Sequence, residues 1–148
     1  LNNTLNKYFI NQYFMPNIQL KLVDHIKKFA NTSIDISDGL LADLDKLINT
    51  QKLSYKLYLK DIPISNNLKK ILDLKKLSKI NYISNGDDYQ VIFTASKAKR
   101  RIVRKISSNF RIKITKIGSI QSVGNKSSIL DHKNTEISFK NKGYFHQF

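Results

Sequence analysis

Between residues 33 and 48 the apolar side chains change their period. In SIDIS, Ile34 and Ile36 alternate with Ser33, Asp35 and Ser37, which is the two-residue repeat of a short strand. Leu40, Leu41, Leu44, Leu47 and Ile48 then recur at helical spacing, giving an amphipathic helix that ends near Asn49. Only Ser37, Asp38 and Gly39 separate the two patterns, so the strand has to turn directly into the helix. The alternation also aims Asp35 away from the two inward isoleucines. Any fold of this chain therefore sets two carboxylates, Asp35 and Asp38, at a strand-to-helix turn.

The rest of the chain repeats the theme of strands and helices in alternation. Residues 1–16 mix asparagine with Tyr8, Phe9, Tyr13 and Phe14 and stop at Pro16, which disfavours helix at Met15; they read as a connecting segment. Ile18, Leu22, Val23, Ile26, Phe29 and Ala30 have helical spacing, with Asn17 as the N-cap. SYKLYL is a second strand, NNLKKILDLKKL a helix, and residues 91–93 a strand after a loop at 84–88. KAKRRIVRKISSNF is a basic helix with Ala98, Ile102, Val103 and Ile106 on its apolar face; RIKITKIGSI alternates as a strand up to Gly118. SSIL and TEISF form a closing hairpin around residues 132–134. Strand pairs this close in sequence favour hairpins over long crossovers, so the expected class is α+β with a mixed, largely antiparallel sheet covered by helices. At 148 residues one domain is the default, here 17–148.

Composition narrows the function classes. The formal net charge of +15 invites a nucleic-acid or membrane-surface partner. Yet lysine is dispersed along the chain, arginine occurs only at positions 100, 101, 104 and 111, and no aromatics interleave with the one dense run, KAKRRIVRK. That run reads as a solvated helix face rather than a single-strand platform, so nucleic acid is not the expected partner. No window approaches the ~18 apolar residues of a membrane span. The absence of cysteine removes disulfides and thiolate metal sites and fits a reducing compartment. Acids are few, ten Asp and one Glu, which makes their clustering at 35–38 and 87–88 informative. The opening Leu1, without the zones of a signal peptide, suggests a piece of a longer chain.

At the turn, backbone N–H groups and the helix dipole would attract phosphate, and Gly39 would let a ligand approach closely. A carboxylate beside phosphate repels it unless a cation intervenes. Asp35 and Asp38 are therefore candidate Mg2+ ligands shared with nucleotide phosphates. A plainer reading is also open: Ser37 or Asp38 as an N-cap, which stabilises a helix by about 1 kcal/mol. In NGDDYQ, Asn85 and Gly86 suit a tight turn with Asp87, Asp88 and Tyr89 at its mouth; as a lone feature this is a solvated turn. The closing KGYFHQF could pack on the domain or place an aromatic ring over a flat heterocycle. His25 is expected to be an ordinary helix histidine, since no second ligand type lies at i+4.

Taken in order, SIDISDGLLADLDKL, NGDDYQVIFTAS, ITKIGSI and NKGYFHQF resemble the C-terminal half of the bacterial thiamine-monophosphate kinase family, a branch of the aminoimidazole ribonucleotide synthetase and selenophosphate synthetase superfamily. The resemblance spans residues 13–148. IDISDGL is shared more weakly across the superfamily, and the GDDY loop with the KGY tail points to the thiamine branch. The resemblance implies transfer of the ATP γ-phosphoryl group to thiamine monophosphate, giving thiamine diphosphate and ADP in the cytoplasm. It further implies Asp35 and Asp38 as Mg2+ ligands, Ser37 against ATP, and Asp87 and Tyr144 against the thiamine moiety. No general base is assigned, because the attacking phosphate oxygen is already anionic. Residues 1–16 would be the linker from an N-terminal domain of the same enzyme, which supplies further metal-binding aspartates and a homodimer's shared ATP cleft.

Departures from the family pattern sharpen these expectations. Where the family reads GGEDYE this chain has NGDDYQ: Asp87 is a methylene shorter than Glu, and Asn85 is less free than glycine to take positive φ. The tail reads KGYFHQF against the commoner KGYDHF. Without the N-terminal half the chain alone should be nearly inactive. Alternatives are a sister ATP-dependent synthetase, a basic nucleic-acid-binding module and a non-catalytic partner.

Overall fold

Helix α3 (Leu40–Asn49) forms where the apolar period changes, and the main core is built on it. Its Leu40, Leu41, Leu44 and Ile48 are all buried, Leu41 completely, against Tyr55 and Leu57 of strand β2 (Ser54–Tyr58) and against Ile83, Ile92 and Ile129. Burying one aliphatic side chain of this size stabilises by about 1.5–3 kcal/mol, more than a single helix cap supplies, so packing rather than capping fixes where α3 lies. A second apolar cluster joins Leu22, Phe29, Ile106 and Ile112, with the Phe29 and Phe93 rings 5.0 Å apart.

The computed structural model describes residues 3–49, 51–138 and 143. In order these form α1 (Asn3–Phe14), α2 (Leu20–Ile26), β1 (Thr32–Asp35), α3, β2, α4 (Asn66–Lys75), β3 (Val91–Thr94), α5 (Arg100–Phe110), β4 (Gly118–Gln121) and β5 (Ser128–Leu130). Strands β1 and β3 pair antiparallel, with Asp35 opposite Val91. In the second sheet β2 lies between β4, antiparallel to it, and β5, parallel to it. The class is α+β with mixed and antiparallel sheets, as expected, but the paired strands lie far apart in sequence rather than forming hairpins of neighbours. Among the described residues no helix is long and apolar enough to cross a membrane.

Some elements differ from expectation. Residues 3–14 are helical rather than an irregular connection, but none of them is buried, so no apolar stripe exists to announce the helix. It stops at Phe14, before the Met15–Pro16 step. Helix α2 starts at Leu20, leaving Ile18 and Val23 exposed. Residues 112–117 are not a strand. Strand β2 offers its antiparallel edge to residues 118–121 instead, while Ile112 and Ile114 pack into the second cluster. The closing hairpin is present, with Leu130 bridged to Glu136 and Asp131 N–H donating to Thr135 C=O. His25 is half-buried, its ring tilted against that of Phe110 with centroids 4.3 Å apart, as suits an ordinary helix histidine.

Helix α4 begins at Ser65, whose hydroxyl accepts from Leu68 N–H at 3.1 Å. Both α4 and α5 end on a side-chain-bearing residue in the left-handed region, Lys76 (φ +51°) and Arg111 (φ +53°). Non-glycine residues are strained there, so Lys76→Gly and Arg111→Gly should each stabilise the fold by about 0.5–1 kcal/mol. Urea unfolding of the two variants checks this, and a loss of stability in both would contradict it.

Candidate functional site

Asp43 sits on the buried stripe of α3 with no exposed surface. Burying a carboxylate costs several kcal/mol unless its lone pairs are filled, and here they are. One oxygen, Oδ2, accepts the backbone N–H of Ser37 (2.9 Å), Asp38 (2.9 Å) and Gly39 (3.2 Å). The other, Oδ1, accepts from Lys46 Nζ at 2.9 Å, and Lys46 also donates to the Asp38 carboxylate. Hydrogen bonding to Asp38 first, and to Asp43 second, holds the Lys46 ammonium above its ordinary value of 10.5. A lysine raised in the folded state stabilises below its unfolded value and loses that contribution only as pH rises through the folded one. The Lys46 ammonium is thus charged across neutral pH.

This geometry corrects one expectation from the sequence. The amides of the turn are not open to phosphate, because the Asp43 carboxylate already occupies the place an incoming anion would take. The group that satisfies the amides of the turn before α3 is therefore Asp43 rather than the side chains of the turn itself, while Leu40 N–H donates to Ile83 C=O.

A second stretch, 84–90, lies directly on that turn. Asp87 N–H donates to Ser37 C=O and Tyr89 N–H to Ile36 C=O, each at 2.9 Å, while Ile36 N–H donates to Gln90 C=O at 2.8 Å. Two glycines permit the approach. A Cβ on Gly86 (φ +59°) would fall 2.3 Å from Ser37 O, and one on Gly39 (φ +121°) would fall 2.7 Å from Ser84 O. Positive φ thus falls on Gly86, and also on Asp87 (+58°) and Tyr89 (+49°), but not on Asn85. The Asn for Gly exchange at 85 costs nothing in backbone freedom, whereas Tyr89 stores strain of about 1–3 kcal/mol.

A third stretch reaches the same place. Gly143 is buried, and a Cβ there would fall 2.6 Å from Asp38 O and 2.4 Å from Ala42 Cβ. Tyr144 lies outside the described residues. Asp35 is exposed at the end of β1, Ser37 and Asp38 are half-buried in the turn, and Asp87 is exposed in the loop. The Asp87 carboxylate accepts from the Tyr89 hydroxyl at 3.3 Å, and its charge is the main cause that raises that hydroxyl's pKa. The Asp88 carboxyl, on a residue that keeps solvent access, is pushed above its ordinary value of 3.8, first by desolvation and then by Asp87. Among the described residues no group of three or more His, Cys, Asp or Glu side chains is placed to hold a metal ion.

Sequence reasoning missed Asp43. The signal was a carboxylate three residues after Leu40 and four before Leu47, on a face otherwise apolar, where an acid is tolerated only with partners.

Comparison with known proteins bears on what such a site serves. No family model matches the chain. The chain is 32% identical over 146 residues to thiamine-monophosphate kinase of Buchnera aphidicola subsp. Acyrthosiphon pisum, covering 98% of this chain and 44% of the relative. It is 35% identical over 91 residues to that of Aquifex aeolicus, covering 61% of this chain and 30% of the relative. A solved structure of AaThiL complexed with AMPPCP and TMP superposes with a TM-score of 0.74 at 27% identity, covering 98% of this chain and 43% of that one. Its relatives are thiamine-monophosphate kinases. The chain spans less than half the length of these relatives. Thiamine-monophosphate kinase from Stenotrophomonas maltophilia K279a shares the fold, with a TM-score of 0.76 at 24% identity over 87% of this chain and 40% of that one.

The loop that carries Asp87 yields a prediction with a definite sign. An acid whose folded pKa is raised destabilises once ionised, so the penalty from Asp88 is absent below 3.8 and grows as pH rises through its folded value. Asp88→Asn should therefore stabilise the chain at neutral pH and lose that advantage on acidification. Thermal unfolding at a series of pH values checks it, and equal effects at both ends of the series would contradict it.

Proposed function

We propose that this chain is the C-terminal part of a thiamine-monophosphate kinase, which transfers the ATP γ-phosphoryl group to the terminal phosphate of thiamine monophosphate. The observation that carries the reading is the meeting of the 35–39, 84–90 and 143 stretches at one turn, in a chain whose relatives have this activity. That AaThiL was solved with AMPPCP, an ATP analogue, and with TMP, thiamine monophosphate, supports ATP as co-substrate and thiamine monophosphate as acceptor.

In this reading Asp35 and Asp38 hold Mg2+, Ser37 contacts ATP, and Asp87 contacts the thiamine moiety together with Tyr144. The fit to a cation rests on donor chemistry: Asp35 is a solvent-open carboxylate, and the Asp38 carboxylate already binds one cationic group, the Lys46 ammonium, whose place at that oxygen Mg2+ would share or take. Two carboxylates are a partial ligand set, which suits Mg2+, an ion that takes the rest of its octahedron from waters and phosphate oxygens. When bound, Mg2+ would neutralise charge on the phosphate oxygens. The chain's own residues position the reactants. The Asp43-clamped turn fixes Ser37, the exposed Asp87 meets the cationic ring system of the acceptor, and no side chain need remove a proton from an oxygen that is already anionic.

The rest of the kinase, joined through residues 1–16 to an α+β domain at 17–148, would supply further carboxylates and close the ATP cleft. The proposal includes a homodimer at full length and a cytoplasmic location. The test is formation of thiamine diphosphate from ATP, Mg2+ and thiamine monophosphate. Residues 1–148 alone should be near background. A protein that adds the remainder of a relative's length should turn over and lose on the order of 100-fold in kcat/KM with Asp35→Asn. Robust turnover by the 148 residues alone, or an inert complete protein, would contradict the proposal.

A further inference from the structure

We infer that Asp43 is a positioning residue that locks the phosphate-facing turn and the acceptor-facing loop into one register through two shared peptide groups; this rests on the kinase reading of the site given above.

Two peptide units join the turn to the loop. The C=O of Ile36 and the N–H of Ser37 belong to one planar group, and the C=O of Ser37 and the N–H of Asp38 to the next. Asp43 Oδ2 accepts both N–H groups at 2.9 Å. On the opposite edges, Ile36 C=O accepts Tyr89 N–H and Ser37 C=O accepts Asp87 N–H, again at 2.9 Å. Each of the two planes is therefore gripped by a buried carboxylate on one side and by the loop on the other. A planar peptide cannot turn one edge without the other, so a rotation that frees Ser37 or Asp38 from Asp43 also withdraws the acceptor from Tyr89 or Asp87. Polarisation works in the same direction, since an anion on the N–H strengthens the acceptor at the far end of the unit.

The loop needs this grip. Asp87 and Tyr89 both hold positive φ, a conformation that relaxes unless surrounding bonds over-determine it. Asp43 touches neither residue, yet on this account it decides whether their side chains stay in place. A lysine completes the clamp: Lys46 donates to the far oxygen of Asp43 and so helps to orient the carboxylate. The geometry makes Asp43 the residue through which the proposed ATP side and the proposed thiamine side stay aligned, without contacting either substrate.

Amide hydrogen exchange on the 148-residue chain and its Asp43→Asn variant tests this. The neutral isostere should accelerate exchange about tenfold or more at Ser37, Asp38 and Gly39, and equally at Asp87 and Tyr89, while the β2–β4 ladder stays within about twofold. Acceleration at the turn alone would reduce Asp43 to a cap of α3 and overturn the inference, as would no acceleration at either place. Should the variant fail to fold, exchange of the unmodified chain in low urea decides. Those amides should share one opening free energy, and Asp87 and Tyr89 exchanging more than about tenfold faster than the turn would overturn the inference. Neither readout uses nucleotide or thiamine phosphate, so failure of the kinase assay and failure of this inference are scored separately.

Discussion

One buried carboxylate holds this site together. Asp43, on a helix face otherwise apolar, accepts three consecutive backbone N–H groups and one ammonium. Stripped of those partners it would cost several kcal/mol; with them it makes the turn at 37–39 a rigid internal joint whose amides are closed to an external anion. The strand-to-helix turn is then fixed by three constraints of different kinds: hydrogen bonds from Asp43, backbone contacts permitted by Gly39 and Gly86, and the packing of Gly143 against Asp38 and Ala42. Each comes from a different part of the sequence, which explains how residues more than a hundred positions apart share one site.

That joint changes how phosphate recognition is assigned. A helix N-terminus ordinarily offers its free amides to an anion. Here the amides of the preceding turn, 37–39, are taken by Asp43 and that of Leu40 by Ile83 C=O, and the turn carries the exposed Asp35 and the half-buried Asp38 with its Lys46 partner. Carboxylates recognise phosphate only through a cation, so under the proposed kinase function the turn would meet phosphate through a metal ion rather than through these amides. This is the arrangement phosphoryl transfer favours, in which positioning and charge neutralisation supply most of the rate and the protein contributes little covalent chemistry.

Much of the fold was legible. The switch of period around Ser37 located β1 and α3, because one sheet face and one helix stripe are buried there and their spacing is strict. The apolar spacing within 66–77 located α4 for a similar reason. What escaped was of two kinds. Helix α1 buries nothing, so its pattern carries no period to read. Residues 112–117 alternate convincingly, but a strand also needs an edge, and β2 gives its own to 118–121; pairing is a property of the partner, invisible in the segment. For the site, the acids at 35, 38 and 87 stood out because acids are scarce in so basic a chain, whereas Asp43 was hidden inside a helix whose apolar stripe drew attention away from it.

The central claim is that the turn at 35–39 presents carboxylates to a divalent cation. Titrating the isotopically labelled chain with Mn2+ and following paramagnetic broadening of its amide resonances tests that claim most directly. The account predicts that amides 35–39 broaden at the lowest Mn2+ concentrations, ahead of those near the dispersed acids Asp24, Asp73 and Asp131. Broadening that reaches all of these acids together, or that spares the turn, would contradict it.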